Sequence, residues 1–187
     1  MIGCIGLSTL AGAAHGHGEG DIGLLWNGVN IVTSVANDED GSFADLGEFV
    51  FGAELGDLGG LIGGDGPGFF TTDGPTNTVG AFDAGTVLSY DTLSALRVWN
   101  GSDCSQIATP QLAQDYGGNT IFSPLTDTLT PGFEFLYSGG DFDEHPDYAL
   151  VKPAAGVYLW EIQFSATAAT GEALGSTGSV YVVFNYG

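Results

Sequence analysis

Three histidines and the carboxylates around them are the residues best suited to chemistry. His15 and His17 stand two apart in His-Gly-His, and Glu19 and Asp21 continue the spacing with glycine between. In an extended chain, residues two apart point the same way, so these four side chains line one edge. The intervening glycines leave the backbone free to wrap around an ion. His145 and Asp147 repeat the spacing within Asp143-Glu144-His145-Pro146-Asp147. Imidazole and carboxylate together suit zinc, copper or iron, and zinc takes about four such ligands. The expected ligand set is His15, His17, His145 and Asp147, with zinc as the metal and copper as the alternative. Glu19 and Asp21 are additional or substitute ligands. Asp143 and Glu144 are placed to orient an imidazole from behind it.

Other chemistries find less support. Asp38-Glu39-Asp40-Gly41 resembles part of a calcium loop, but aligning Gly41 with the loop glycine puts Ala36 and Gly47 where acidic ligands belong. Loose calcium binding by the acidic surface is the remaining expectation for that ion. No Gly-x-Ser-x-Gly is present, and Cys104 has no local cue to an activating histidine. The glycines do not take the spacing of a phosphate-binding loop. Cleavage before His15 would set an amino terminus beside an imidazole. That is the histidine-brace arrangement of copper proteins and oxidative polysaccharide-cleaving enzymes.

The elements that position these residues follow from composition. At 187 residues the chain suits one domain, and hides roughly two thirds of its unfolded surface. It carries 2 basic and 23 acidic residues, a net charge of −21, which excludes nucleic acid and anionic membrane surfaces as direct partners. The excess charge attracts cations instead. Glycine fills 32 positions with no Gly-X-Y period; with Asp, Asn and Thr it punctuates a series of short strands.

Met1 to Ala14 (MIGCIGLSTLAGAA) is apolar and ends in small residues, the pattern of an export signal. Cleavage after Ala13 or Ala14 would remove Cys4, and Cys104 alone makes no internal disulfide. The signal lacks a basic start, as a truncated one would. No stretch reaches the ~20 apolar residues of a membrane span. The expected product is secreted or at the cell surface, with residues 15–187 as one domain.

Asn27-Gly28 between two apolar runs predicts a hairpin, with positive φ at both residues. Glu48–Leu55, Thr86–Tyr90, Leu93–Trp99, Gly132–Ser138, Tyr148–Val151 and Ser179–Asn185 read as strands, and Gly56–Gly68 as a loop. Residues 100–119 read as irregular and 141–145 as an acidic turn. Val157–Thr167 alternates strictly, with Tyr158, Trp160, Ile162, Phe164 and Ala166 on one face. The expected fold is all-β, an antiparallel β-sandwich or jelly roll of about nine or ten strands.

Several short motifs recur in one known group. His15-Gly16-His17 is followed by Asp21-Ile22, then Pro67-Gly68-Phe69, then Leu93 to Trp99 with Gly101. His145-Pro146-Asp147, Gly156-Val157-Tyr158 and Val183-Phe184-Asn185 complete the series. In this the chain resembles secreted bacterial proteins of the PEP-CTERM type, found in cyanobacteria and planctomycetes. Some of them are repressed by the zinc-uptake regulator. The resemblance implies a role in metal supply. Asp147 stands where the group carries a second histidine, and the sorting tail is not within these 187 residues.

The expected function is extracytoplasmic scavenging or storage of a transition metal. A structural surface-matrix protein that holds calcium loosely is the alternative, and a copper histidine-brace enzyme the third reading.

Overall fold

The computed structural model describes residues 21–37, 42–44, 47–57, 62–71, 82–140, 142–152 and 154–187. His15, His17 and Glu19, the signal-like segment and the Asp38–Gly41 turn lie outside the described residues. Among those described the chain forms eighteen strands and no helix. The first six are β1 (Ile22–Trp26), β2 (Ile31–Asn37), β3 (Ser42–Ala44), β4 (Val50–Glu54), β5 (Gly56–Asp57) and β6 (Ile62–Gly64). The middle six are β7 (Phe69–Thr71), β8 (Val87–Thr92), β9 (Arg97–Val98), β10 (Gln106–Ile107), β11 (Gln111–Tyr116) and β12 (Asn119–Phe122). The last six are β13 (Thr130–Leu136), β14 (Phe142–Glu144), β15 (Asp147–Val151), β16 (Gly156–Thr167), β17 (Ala173–Ser176) and β18 (Val180–Tyr186).

Three sheets hold these strands in an all-β sandwich. The first runs β14-β7-β1-β2-β3. The second runs β10-β9-β16-β18-β4, with β8, β13 and β17 attached to it. The third runs β12-β11-β15-β6-β5. Pairing is antiparallel except between β1 and β7 and between β4 and β18. One cluster of buried side chains draws on all three sheets, among them Ile22 and Phe69, Trp160 and Phe164, and Tyr148 and Leu150. Phe69 lies at its centre, with its ring 5.0 to 5.6 Å from those of Tyr90, Phe135 and Phe164.

The alternating stretch is strand β16, and Tyr158, Trp160, Ile162, Phe164 and Ala166 are all buried as the period of two requires. Asn27-Gly28 does close a hairpin between β1 and β2, but over four residues, 27–30. Only Gly28 takes positive φ (93°); Asn27 instead accepts the backbone N–H groups of Val29 and Asn30 on Oδ1.

The strand count exceeds the expected nine or ten: β3, β7, β12 and β17 are additional, and five more strands hide in three places expected to be loop, irregular or turn. Gly56–Gly68, expected as a loop, contains β5 and β6, where glycine pairs without a side chain to signal it. Residues 100–119, expected as irregular, contain β10 and β11. In β11 the buried positions are Leu112 and Gln114, and a buried glutamine breaks the apolar alternation. It is tolerated because Tyr90 donates its hydroxyl to Gln114 Oε1 at 2.5 Å. The acidic turn contains β14, which pairs with β7.

Candidate metal centre

The polar cluster forms at a corner of the fold. Strands β6 and β15 pair in the third sheet, and their continuations β7 and β14 pair in the first. The two chains therefore change sheet together as a ribbon. At the bend residues 65–68 face residues 145–147, four against three, which kinks the ribbon as a bulge does.

The register then places the side chains. Ile22 pairs with Phe69, and Phe69 with Glu144. One step further, beyond the strand ends, the next row is Asp21, Gly68 and His145. Asp143, two residues before His145, shares that face. Neighbouring strands lie about 4.8 Å apart, so Asp21 and His145 belong to chains roughly 10 Å apart. They meet because Gly68 between them has no side chain. A Cβ there would stand 2.6–2.8 Å from three atoms of the His145 ring.

His145 Nε2 lies 2.8 Å from Asp143 Oδ1 and 3.3 Å from Asp21 Oδ2. Its Nδ1 lies 3.0 Å from the Asp65 carbonyl oxygen. A carbonyl only accepts, so Nδ1 carries a hydrogen. Nε2 is thus the atom left facing two carboxylates, an environment that suits a cation at that nitrogen, whether a proton or a metal ion. One ligand atom each from Asp21, Asp143 and His145 fall within 4.8 Å of one another. In a tetrahedral zinc site with bonds of roughly 2.0–2.1 Å, neighbouring ligand atoms stand about 3.3 Å apart. The Nε2 to Asp21 Oδ2 separation of 3.3 Å matches that size, whereas the 2.8 Å to Asp143 Oδ1 is a hydrogen-bond distance.

Burial differs among the three. Asp21 is buried, at 7% exposure, and accepts the Gly68 N–H on Oδ1 at 2.6 Å. Asp143 and His145 are partly open to solvent. Partial burial pulls the His145 pKa down. The bond to the Asp65 carbonyl and the charges of Asp21 and Asp143 outweigh that, and the net direction is upward.

Asp147 lies at the exposed start of β15 opposite Asp115, outside this group. Pro146 and the change of sheet separate its direction from that of His145. Glu144 alternates to the other face, where the Tyr116 hydroxyl donates to its carboxylate. Burial first, and then Glu144, push the Tyr116 hydroxyl up to about 12. Of the eight residues singled out from the sequence, the structure brings together Asp21, Asp143 and His145. Sequence reasoning assigned no role to the Asp65 carbonyl or to Gly68. The only signal for them was Pro67-Gly68-Phe69, whose glycine makes room for the imidazole.

No family model matches the chain. No curated protein matches it. Among solved structures, the chain is similar to the N-terminal domain of PorA, at 11% identity and a TM-score of 0.39. That alignment covers 81% of this chain and 93% of the other.

Proposed function

We propose that this protein binds a transition-metal ion, zinc foremost, through Asp21, Asp143 and His145, and that it captures or stores that ion outside the cytoplasm. The supporting observation is the convergence of two carboxylates on Nε2 of an imidazole whose Nδ1 is committed to a backbone carbonyl. That is how metal-ligating histidines are oriented in general. His15, His17 and Glu19 precede Asp21 by two to six residues. They supply the imidazole or carboxylate that a fourth ligand would require. The net charge of −21 supports the reading by concentrating cations around the molecule. Extracytoplasmic action rests on the export-like Met1–Ala14 segment.

The test is metal content per chain after exposure to zinc and removal of loose ions, compared between the wild type and His145→Ala. One zinc per chain, lost in the variant, supports the proposal. No retained zinc in the wild type overturns it and leaves Asp21, Asp143 and a protonated His145 as an ionic clasp across the corner. Zinc retained equally by the variant moves the site elsewhere. Calcium held loosely in place of zinc would favour the structural surface protein.

A further inference from the structure

We infer that Tyr148 is a positioning residue for this metal centre, acting on Asp21 through a single peptide unit; the inference rests on the metal-binding reading above. The Tyr148 side chain is buried, with 1% exposure, and its hydroxyl donates to the Pro67 carbonyl oxygen at 3.2 Å. The Gly68 N–H, which belongs to that same Pro67–Gly68 peptide, donates to Asp21 Oδ1 at 2.6 Å. A donor bound to the carbonyl end of a peptide polarises the N–H at its other end, so the two bonds reinforce each other. The chain Tyr148 O–H, Pro67 C=O, Gly68 N–H, Asp21 Oδ1 therefore fixes one oxygen of the carboxylate. The other oxygen, Oδ2, is left aimed at His145 Nε2.

The same peptide stands at the ribbon's bend. Tyr148 pairs with Gly64 one side of it, and Phe69 with Glu144 on the other. Holding this peptide holds the spacing between the Asp65 carbonyl, the Gly68 Cα beneath the imidazole, and Asp21. Tyr148 thus sets the orientation of the one buried ligand without touching the ion. Its hydroxyl also lies within the field of the Asp21 charge. Burial first, then Tyr90 and Asp21, hold its pKa well above the ordinary tyrosine value.

The experiment compares Tyr148→Phe with Tyr158→Phe. Tyr158 is another buried tyrosine whose hydroxyl donates to a backbone carbonyl, that of Ala154. Both variants lose a hydroxyl bond to a backbone carbonyl and keep the ring; Tyr158→Phe also removes the acceptor of the Ala154 N–H, so it is the harsher control. Two readouts are taken: zinc affinity by competition with a chromophoric chelator, and the Gly68 amide proton shift in metal-free protein. Partners outside the first ring of ligands typically change metal affinity 10–100-fold. Tyr148→Phe is expected to weaken zinc binding at least ~10-fold, at the lower edge of that range, and to move the Gly68 amide signal upfield. Tyr158→Phe is expected to do neither. Unchanged zinc affinity in Tyr148→Phe, or an equal loss in both variants, overturns the inference. If the wild type binds no zinc, the metal reading fails and the amide alone decides. A moved Gly68 signal then keeps Tyr148 as the residue that positions Asp21 toward His145, and an unmoved one removes that role.

Discussion

Asp21 Oδ2 and His145 Nε2 stand 3.3 Å apart across the backbone of Gly68, although strand β7 separates the strands they extend. The pair exists only because the middle position of the row is glycine. Gly68→Ala should therefore break it more thoroughly than an alanine usually breaks anything. The new methyl would need the imidazole ring to leave, since it would meet ring atoms at 2.6–2.8 Å. Zinc affinity is expected to fall by at least ~10-fold, as for loss of ligand orientation. A Gly68→Ala protein that binds zinc as the wild type does would show that the ligands meet elsewhere.

Removal of each ligand should separate the buried from the exposed contribution. Asp21→Asn keeps an oxygen but loses the charge at a buried position that already serves the Gly68 amide. Asp143→Asn loses it at an exposed one. The buried change is expected to cost more zinc affinity than the exposed one, and His145→Ala to abolish binding. Chelator competition on the three variants orders them, and a larger loss in Asp143→Asn than in Asp21→Asn would reverse the assignment.

The pH dependence has opposite signs with and without metal. In metal-free protein the His145 pKa is raised above its unfolded value of about 6.5. The stabilisation from its charged form is then fully present below about pH 6.5 and lost as pH rises through the folded-state pKa. Zinc needs the deprotonated nitrogen, so stabilisation by zinc grows over the same rise. The difference in Tm between wild type and His145→Gln should shrink from pH 5.5 to 8 with a chelator and widen with zinc. A difference that runs the same way in both conditions would remove His145 from the site.

The buried Tyr90–Gln114 pair gives a prediction about the core. Gln114→Leu strands the Tyr90 hydroxyl without its acceptor in the interior, which costs about 1–3 kcal/mol. Adding Tyr90→Phe removes the stranded group and should recover most of that loss. Denaturant unfolding of the two single variants and the double one closes the cycle. Additive losses would mean that the hydroxyl finds another partner.

What was legible in the chain follows from which signals are local. Strand β16 carries five large or apolar residues at period two, and its inward face follows directly. The sandwich class follows from that and from glycine-rich punctuation. Strands β5, β6, β10 and β14 have two or three residues each, too few for a period to show. At the site, His145 and its acidic neighbours stood out by residue type. Asp21 and Asp143 became partners of one nitrogen through the β1–β7–β14 register, and a parallel pairing between residues 47 apart leaves no mark in local spacing. The spacing of two that suggested Asp147 holds only while a strand stays in one sheet. Here the chain turns at Pro146 into another.

Strand β16 is flanked along both edges. On one side it pairs with β18 and then β17, on the other with β9 and then β8. The gap between the last two is bridged where Leu93 donates its N–H to the Glu161 carbonyl. Few of its amides can reach solvent without opening a neighbour. In deuterated water the slowest protons of the molecule should sit between Tyr158 and Phe164, and their exchange should report global unfolding. The three-residue strands at the corner should take up deuterium earlier, so the region that brings Asp21, Asp143 and His145 together is also the one expected to open before the centre of β16.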